Sequence, residues 1–274
     1  MKMNRIEEKL KQLKKENKKA LILYLTAGYP SLAATEKLVP ELERAGADII
    51  ELGVPFSDPV ADGVTIQRTS AAALASGTNL TKIFRTVSRI RKKSRVPIIL
   101  MGYYNPILSY GLDRFVADCK KKEVDGIICA DLPPDEAQEL LRLTRKAEIG
   151  LIFLLAPTST PERIKLVTKA SCPFIYYVSV TGVTGVRKSL PKDIRAKITQ
   201  IRRYTKKPVC LGFGVSNASQ AKEVLPFVDG VIVGSALLDC IEKAGRNYLD
   251  AAKKFTASLA AVTPHPSLSP TGRG

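Results

Sequence analysis

The sequence predicts an α/β fold in which eight parallel strands close on themselves inside a ring of helices. Three observations predict it. Short, nearly continuous apolar runs recur eight times, at 20–27, 48–54, 96–103, 124–130, 150–156, 174–180, 208–212 and 228–234. Helix-forming stretches with start and stop signals separate them. The length, 274 residues, suits a closed barrel, which typically takes about 250. Runs without polar alternation fit strands buried on both faces, the habit of parallel sheets. Right-handed crossovers between eight such strands favour closure into a (β/α)8 TIM barrel. The rival is an open doubly wound sheet. Against it, no GxGxxG follows the first run, where a dinucleotide site would begin.

The elements follow in order. Residues Asn4 to about Asn17 form an extra N-terminal helix, with Ile6, Leu10 and Leu13 on one face. Gly46 sits where the cap after the first barrel helix belongs. Pro40, inside that helix, predicts a kink or an early break. Between the second and third runs two helices are expected, 65–76 and 80–93, with Gly77 capping the first. Thr160 is an N-cap followed by Pro161 and Glu162 in the first turn. Pro191 opens a further helix and Ser216 caps the next. The barrel is assigned to residues 1–262 as one catalytic domain. The remainder, 263–274 (TPHPSLSPTGRG), is rich in Pro, Ser and Gly and is expected to be a disordered tail.

Composition narrows the class. With 45% hydrophobic residues, the chain buries one large core without staples. Its five cysteines form no CxxC pair, which suits reduced thiols in a cytoplasmic protein. The first twenty residues lack the apolar stretch of a secretory signal. No run approaches the roughly 18 residues needed to cross a bilayer, so no membrane role is expected. The net charge of +17 invites a nucleic-acid reading. The basic residues are spread over many segments, and no RNA-binding aromatic signature or zinc spacing accompanies them. They read as a solvated basic exterior, with no nucleic acid as partner.

In a barrel the chemistry lies at the C-terminal strand ends, with phosphate near the last two. The seventh run ends LGFGVS and the eighth VGSA. Gly212 and Gly214 admit backbone angles closed to other residues and let amides approach an anion. Gly234 and Ser235 open a helix whose free N–H groups attract phosphate. The bland alternative is a pair of tight turns. Glu51 stands inside an apolar strand (DIIELGV), where an unpartnered carboxylate is costly. It is either half of a structural ion pair or an acid/base with a shifted pKa. Asp62, 11 residues on, is either a solvated turn former or a second carboxylate folded back over the mouth. Tyr176 either places a substrate or packs in the core. The stretch YYVSVTGVTGVRKSL reads as a lid or as a plain linker. The single histidine, His265, lies in the tail. That excludes a Ser-His-Asp mechanism, a His base and a His-ligated metal. No lysine falls inside a run, where a desolvated nucleophilic lysine would sit.

Six strings in order then become informative: YLTAGYP (24–30), ELGVPFSDPVADGVTIQ (51–67), CADLP (129–133), YYVSVTGVTG (176–185), GFGVS (212–216) and VIVGSA (231–236). Together they resemble the tryptophan synthase alpha chain family over about residues 5–260. The resemblance implies a carbon–carbon lyase of tryptophan biosynthesis. It cleaves indole-3-glycerol phosphate to indole and D-glyceraldehyde 3-phosphate. Indole passes to a pyridoxal-phosphate-dependent beta chain in an alpha2-beta2 complex, and the alpha chain carries no cofactor and no metal. By motif, Glu51 matches the general acid/base, Asp62 the group that holds the indole N–H, and Tyr176 a tyrosine near the glycerol chain. Thr184 matches the lid threonine that meets the aspartate. Gly185, Gly212, Phe213, Gly214, Gly234 and Ser235 match the substrate-binding phosphate side. Tyr24, Leu100 and Ile232 fall at the indole pocket, and loop segments 55–62, 103–110 and 131–134 at the beta-chain contact. Val64 stands where many members have proline, and Tyr24 where phenylalanine is frequent. The competing readings are a regulatory barrel that binds a phosphorylated ligand and activates a partner without chemistry, and another phosphosugar barrel enzyme.

Overall fold

The computed structural model describes residues 4–178, 193–212 and 214–263. In chain order its elements are α1 (Arg5–Lys15), β1 (Ala20–Thr26), α2 (Leu32–Arg44), β2 (Ile49–Gly53), α3 (Val64–Ala75), α4 (Leu80–Ile90) and β3 (Ile98–Gly102). Then come α5 (Tyr104–Tyr110), α6 (Leu112–Lys121), β4 (Gly126–Cys129), α7 (Gln138–Ala147), β5 (Gly150–Ile152), β6 (Leu154–Leu155) and α8 (Pro161–Ala170). The chain closes with β7 (Ile175–Val178), α9 (Ile194–Arg202), β8 (Val209–Gly212), α10 (Ala218–Val224), β9 (Gly230–Val233), α11 (Ser235–Ala244) and α12 (Tyr248–Ala260). All strand pairs are parallel, in the order β5-β4-β3-β2-β1-β9-β8-β7-β6. The two ends of that order, β5 and β6, are halves of one extended segment parted at Phe153. The first half pairs with β4 and the second with β7, so the sheet closes as the eight-stranded TIM barrel.

Strand alternation sorts the core into two bodies. Leu21, Leu23, Ile50, Leu52, Ile98, Ile127 and Leu151 point outward and pack under the helices. Ile22, Tyr24, Ile49, Ile99, Met101, Ile128, Ile152, Tyr176, Cys210 and Ile232 fill the barrel interior. Helix α1 supplies Ile6, Leu10 and Leu13 to that interior group, so its apolar stripe plugs the end where the strands begin. Asn4 caps it by accepting from Ile6 and Glu7 N–H. Below the strands, the Asp125 carboxylate accepts from Ile98 N–H at 2.8 Å and pairs with Arg91 and Arg5 at 2.7 and 2.8 Å. This ties α1 and α4 to the floor.

Several expectations change. Helix α2 runs unbroken through Pro40. The residue's missing N–H is offset by burial of Leu38, Val39, Pro40 and Leu42 against the barrel. Asn217, not Ser216, caps α10, accepting from Gln220 N–H at 3.0 Å; Ser216 instead bonds the Gln220 side chain. Segment 103–110 is mostly helix α5 rather than loop. Thr160 caps α8 as expected, and Gly46 and Gly77 take positive φ after their helices. Thr263, assigned to the tail, is buried, and its carbonyl accepts from Lys19 N–H at 3.1 Å. Pro191 and the rest of the tail lie outside the described residues. Among the described residues no helix is long and apolar enough to cross a membrane.

Candidate active site

The mouth of the barrel lies where β1, β2, β3, β7, β8 and β9 end. Glu51 is the third residue of β2, paired in register with Tyr24 of β1 and Ile99 of β3. Parity turns its side chain inward, with Ile49 one step below. It is fully buried, and neither carboxylate oxygen has a hydrogen-bond partner among the described residues. Burial alone lifts its pKa from the ordinary carboxylate range to about 8. Of the two readings open from sequence, the ion pair is therefore absent: no described cation meets this carboxyl.

Asp62 ends the loop after β2, just before α3. It is 8% exposed, unusual for a loop carboxylate. A turn from Asp62 N–H to Pro59 carbonyl and a bond from Gln67 to the Asp62 carbonyl, 2.9 Å, fix the backbone. Burial raises the Asp62 pKa to about 6, while a hydrogen bond from Tyr103 opposes the rise. Tyr103 follows β3. Its hydroxyl accepts from Ala61 N–H at 3.0 Å, and its ring packs on Phe56, centroids 5.3 Å apart. One phenol thus holds the loop at three points. Sequence reading placed Tyr103 only in a contact segment; a lone tyrosine after a strand carries no signal that its hydroxyl turns back to a carboxylate.

Tyr24 and Tyr176 flank Glu51 in the interior, and both are buried. Burial first, then the charges of Asp62 and Glu51, hold both phenols protonated far above their ordinary range. Both carboxylates therefore act on the same enclosed space. Each tyrosine lies across a strand-end glycine. A β-carbon on Gly53 would sit 1.9 Å from the Tyr24 hydroxyl, and one on Gly212 would sit 2.4 Å from the Tyr176 ring. Gly212, read from sequence as part of a phosphate cradle, is thereby also the seat of Tyr176. Ile232 joins the interior beside Ile22 in register. Leu100 does not: strand parity sends it into the outer core with the helices. Its neighbour Met101 faces inward, one step closer to the mouth than Ile99. The motif match was one residue out of phase there, which in a strand means the opposite face.

On the far side of the mouth, Gly214 adopts φ +98°. The ten-residue helix α11 starts at Ser235, directly after β9 and Gly234. Its free amides and dipole face the space above β9, where an anion is favoured. Helix α3, which follows Asp62, is latched to α11: Thr65 donates to Asp239 at 2.9 Å, and Arg68 pairs with Glu242. The carboxylate loop and the N-terminus of α11 are thus held in one frame. Thr184, Gly185, Phe213 and the lid stretch lie outside the described residues. Among the described residues no cluster of His, Cys, Asp and Glu is arranged to hold a metal ion.

Segments 55–62, 103–110 and 131–134 adjoin at the ends of β2, β3 and β4. Tyr103 links the first two, and Tyr104 N–H donates to Asp131 at 2.8 Å to link the last. This rim exposes large apolar side chains: Val60 is 81% and Leu108 53% accessible.

Comparison with known proteins is consistent with this geometry. The family model described as tryptophan synthase alpha chain matches residues 10–264. The tryptophan synthase alpha chain of Geobacter sp. (strain M21) is 51% identical over 258 residues, covering 94% of this chain and 97% of that one. That of Caldanaerobacter subterraneus subsp. tengcongensis is 46% identical, covering 95% and 100%. Among solved structures, Mycobacterium tuberculosis tryptophan synthase superposes with a TM-score of 0.90 at 36% identity, covering 96% of this chain and 100% of that one. Tryptophan synthase subunit alpha from Legionella pneumophila superposes at 0.88 and 36%, covering 96% and 99%. With its barrel, its buried carboxylates and these relatives in agreement, the chain belongs to the tryptophan synthase alpha chain family.

Proposed function

We propose that this chain cleaves indole-3-glycerol phosphate by a retro-aldol reaction in which Glu51 moves the proton and Asp62 stabilises the charge. As a carbon–carbon lyase of tryptophan biosynthesis, it releases indole and D-glyceraldehyde 3-phosphate. The observation that carries the assignment is the Glu51 carboxyl, buried in the interior without a hydrogen-bond partner among the described residues and raised to about pKa 8. At neutral pH it is protonated and so begins as an acid. It gives its proton to the ring carbon that bears the glycerol chain. The ring nitrogen becomes cationic, and ionised Asp62 offsets that charge. The Glu51 carboxylate then takes the proton of the adjacent glycerol hydroxyl. The carbon–carbon bond breaks, the aldehyde forms, and the bonding electrons return to the indole ring. No proton is gained or lost overall.

Tyr24, Met101 and Ile232 supply the apolar walls for the ring, and Tyr176 stands beside the glycerol chain. Gly214, Gly234 and Ser235 offer amides to the phosphate; by the family resemblance Gly185 and Phe213 are assigned to the same side and Thr184 to the lid contact with Asp62. The partner is a tryptophan synthase beta chain, supported by the exposed apolar rim around Val60 and Leu108. Pyridoxal phosphate belongs to that partner. The barrel is one catalytic domain that runs at least to Thr263, which is buried, and a cytoplasmic location follows from the biosynthetic role. A purely regulatory barrel finds no support in the comparisons.

Indole release from indole-3-glycerol phosphate, followed with and without the beta chain, tests the reading. Wild type turns over and is accelerated by the partner, whereas Glu51→Gln binds glyceraldehyde 3-phosphate but releases no indole. Comparable turnover by Glu51→Gln removes the assignment.

A further inference from the structure

The barrel has a second concave feature, at the end away from the chemistry. A cleft of about 490 Å³ lies between α1 and the starts of four adjacent strands. Its walls include Lys18 and Lys19 just before β1, Pro173 before β7, Pro208 before β8 and Asp229 before β9. The size is that of a small-molecule site, typically about 300–1,000 Å³.

Six cations converge on it: Lys11, Lys14, Lys18, Lys19, Arg202 and Lys206. Among the described residues only two acids line it, Glu7 and Asp229. The Asp229 carboxylate is already engaged, accepting from Val209 N–H at 2.7 Å and pairing with Arg202. Lys18 is paired with Glu16 at 2.9 Å. Among the described residues Lys14, Lys19 and Lys206 form no ion pair, so the cleft keeps a surplus of positive charge. The floor is different in kind. Leu10, Leu13 and Pro173 are buried and Pro208 half-buried, whereas Lys11, Lys14, Lys18 and Lys206 are exposed, giving an apolar base beneath a cationic rim.

A basic exterior on convex helix faces needs no ligand. Here the charges surround a depression with low-dielectric walls, which focuses the field on whatever enters. An apolar base alone would suit an uncharged ring, and a cationic rim alone a bare phosphate. Their combination suits a ligand with both parts. We propose that this cleft binds a small amphipathic polyanion of the nucleoside polyphosphate class, its ring on the Leu10–Leu13–Pro173–Pro208 base and its phosphates on Lys14, Lys19 and Lys206. The site is separate from the substrate's, because its residues precede the strands and the catalytic groups follow them. Since α1 also plugs the barrel interior, an occupied cleft pins that plug.

Calorimetric titration of the full-length chain with adenosine triphosphate, at about 0.15 M salt so that exposed charges are screened, tests this. One molecule binds per chain, with a Kd below about 1 mM, and saturating inorganic phosphate leaves the binding in place. The double variant Lys14→Ala/Lys206→Ala binds at least tenfold more weakly, while its melting temperature and indole release match wild type. Tripolyphosphate, which lacks the ring, also binds at least tenfold more weakly than the nucleotide. No heat at millimolar nucleotide overturns the proposal. So does equal affinity in the double variant, or equal affinity for tripolyphosphate. Displacement of the nucleotide by duplex DNA at low salt, with several molecules bound per chain, also overturns it and shows a diffuse polyelectrolyte surface instead.

Discussion

Replacing Glu51 with glutamine should stabilise the free chain while abolishing its chemistry. In the folded protein the Glu51 pKa is about 8, against an ordinary 4.5. The folded state therefore holds the proton where the unfolded state releases it. Stability falls as pH rises through that interval and is highest below the unfolded value. At pH 7 the difference is 2.5 pH units above 4.5, which at about 1.4 kcal/mol per unit amounts to about 3 kcal/mol. At pH 5 the same relation leaves under about 1 kcal/mol. Glutamine has the shape of the protonated carboxyl and does not ionise, so it removes the pH-dependent part. Urea unfolding of wild type and Glu51→Gln at pH 5 and pH 7 measures it. The variant should gain about 3 kcal/mol at the higher pH and little at the lower, or roughly 6–12 °C in melting temperature near neutrality. A variant no more stable than wild type at pH 7, or an advantage that does not grow with pH, refutes the view that this carboxyl is held uncharged by burial.

Two further outcomes follow from the same frame. Tyr103→Phe removes the hydroxyl that bonds both Asp62 and Ala61; it should cost about 1 kcal/mol of stability and move the acidic limb of the activity profile upward, whereas an unmoved limb would show that Tyr103 does not reach the working carboxylate. Gly212→Ala places a methyl 2.4 Å from the Tyr176 ring, so it should lower indole release at least tenfold with the chain still folded; normal kinetics would mean that the ring's position is immaterial.

The fold was legible because it is written in repetition. Eight apolar runs of β-branched and aliphatic residues leave little freedom for any fold but a closed parallel sheet. Glu51 was conspicuous for the opposite reason: a carboxylate in such a run is a local violation that only function or an ion pair explains. What escaped was set by tertiary contacts. Pro40 carries a local rule that burial of its neighbours overrides. Tyr103 acts across 42 residues of chain to Ala61, joining it and Asp62 to the end of β3, and no local pattern announces that. Leu100 shows how a motif alignment fails in a strand: a shift of one residue moved the assigned side chain from the interior to the helix layer, and Met101 holds the inward position. Gly212 was legible as a special position, but its service to Tyr176 depends on a ring arriving from the neighbouring strand.

The most direct test of the account is the pH dependence of kcat/KM for indole release from indole-3-glycerol phosphate with the beta chain present. Glu51 must start protonated and Asp62 ionised. The profile should therefore be bell-shaped, with an acidic limb near the Asp62 value of about 6 and a basic limb near the Glu51 value of about 8. Activity that keeps rising above pH 9, or a flat profile from pH 5 to 9, would contradict a buried glutamic acid as the proton donor.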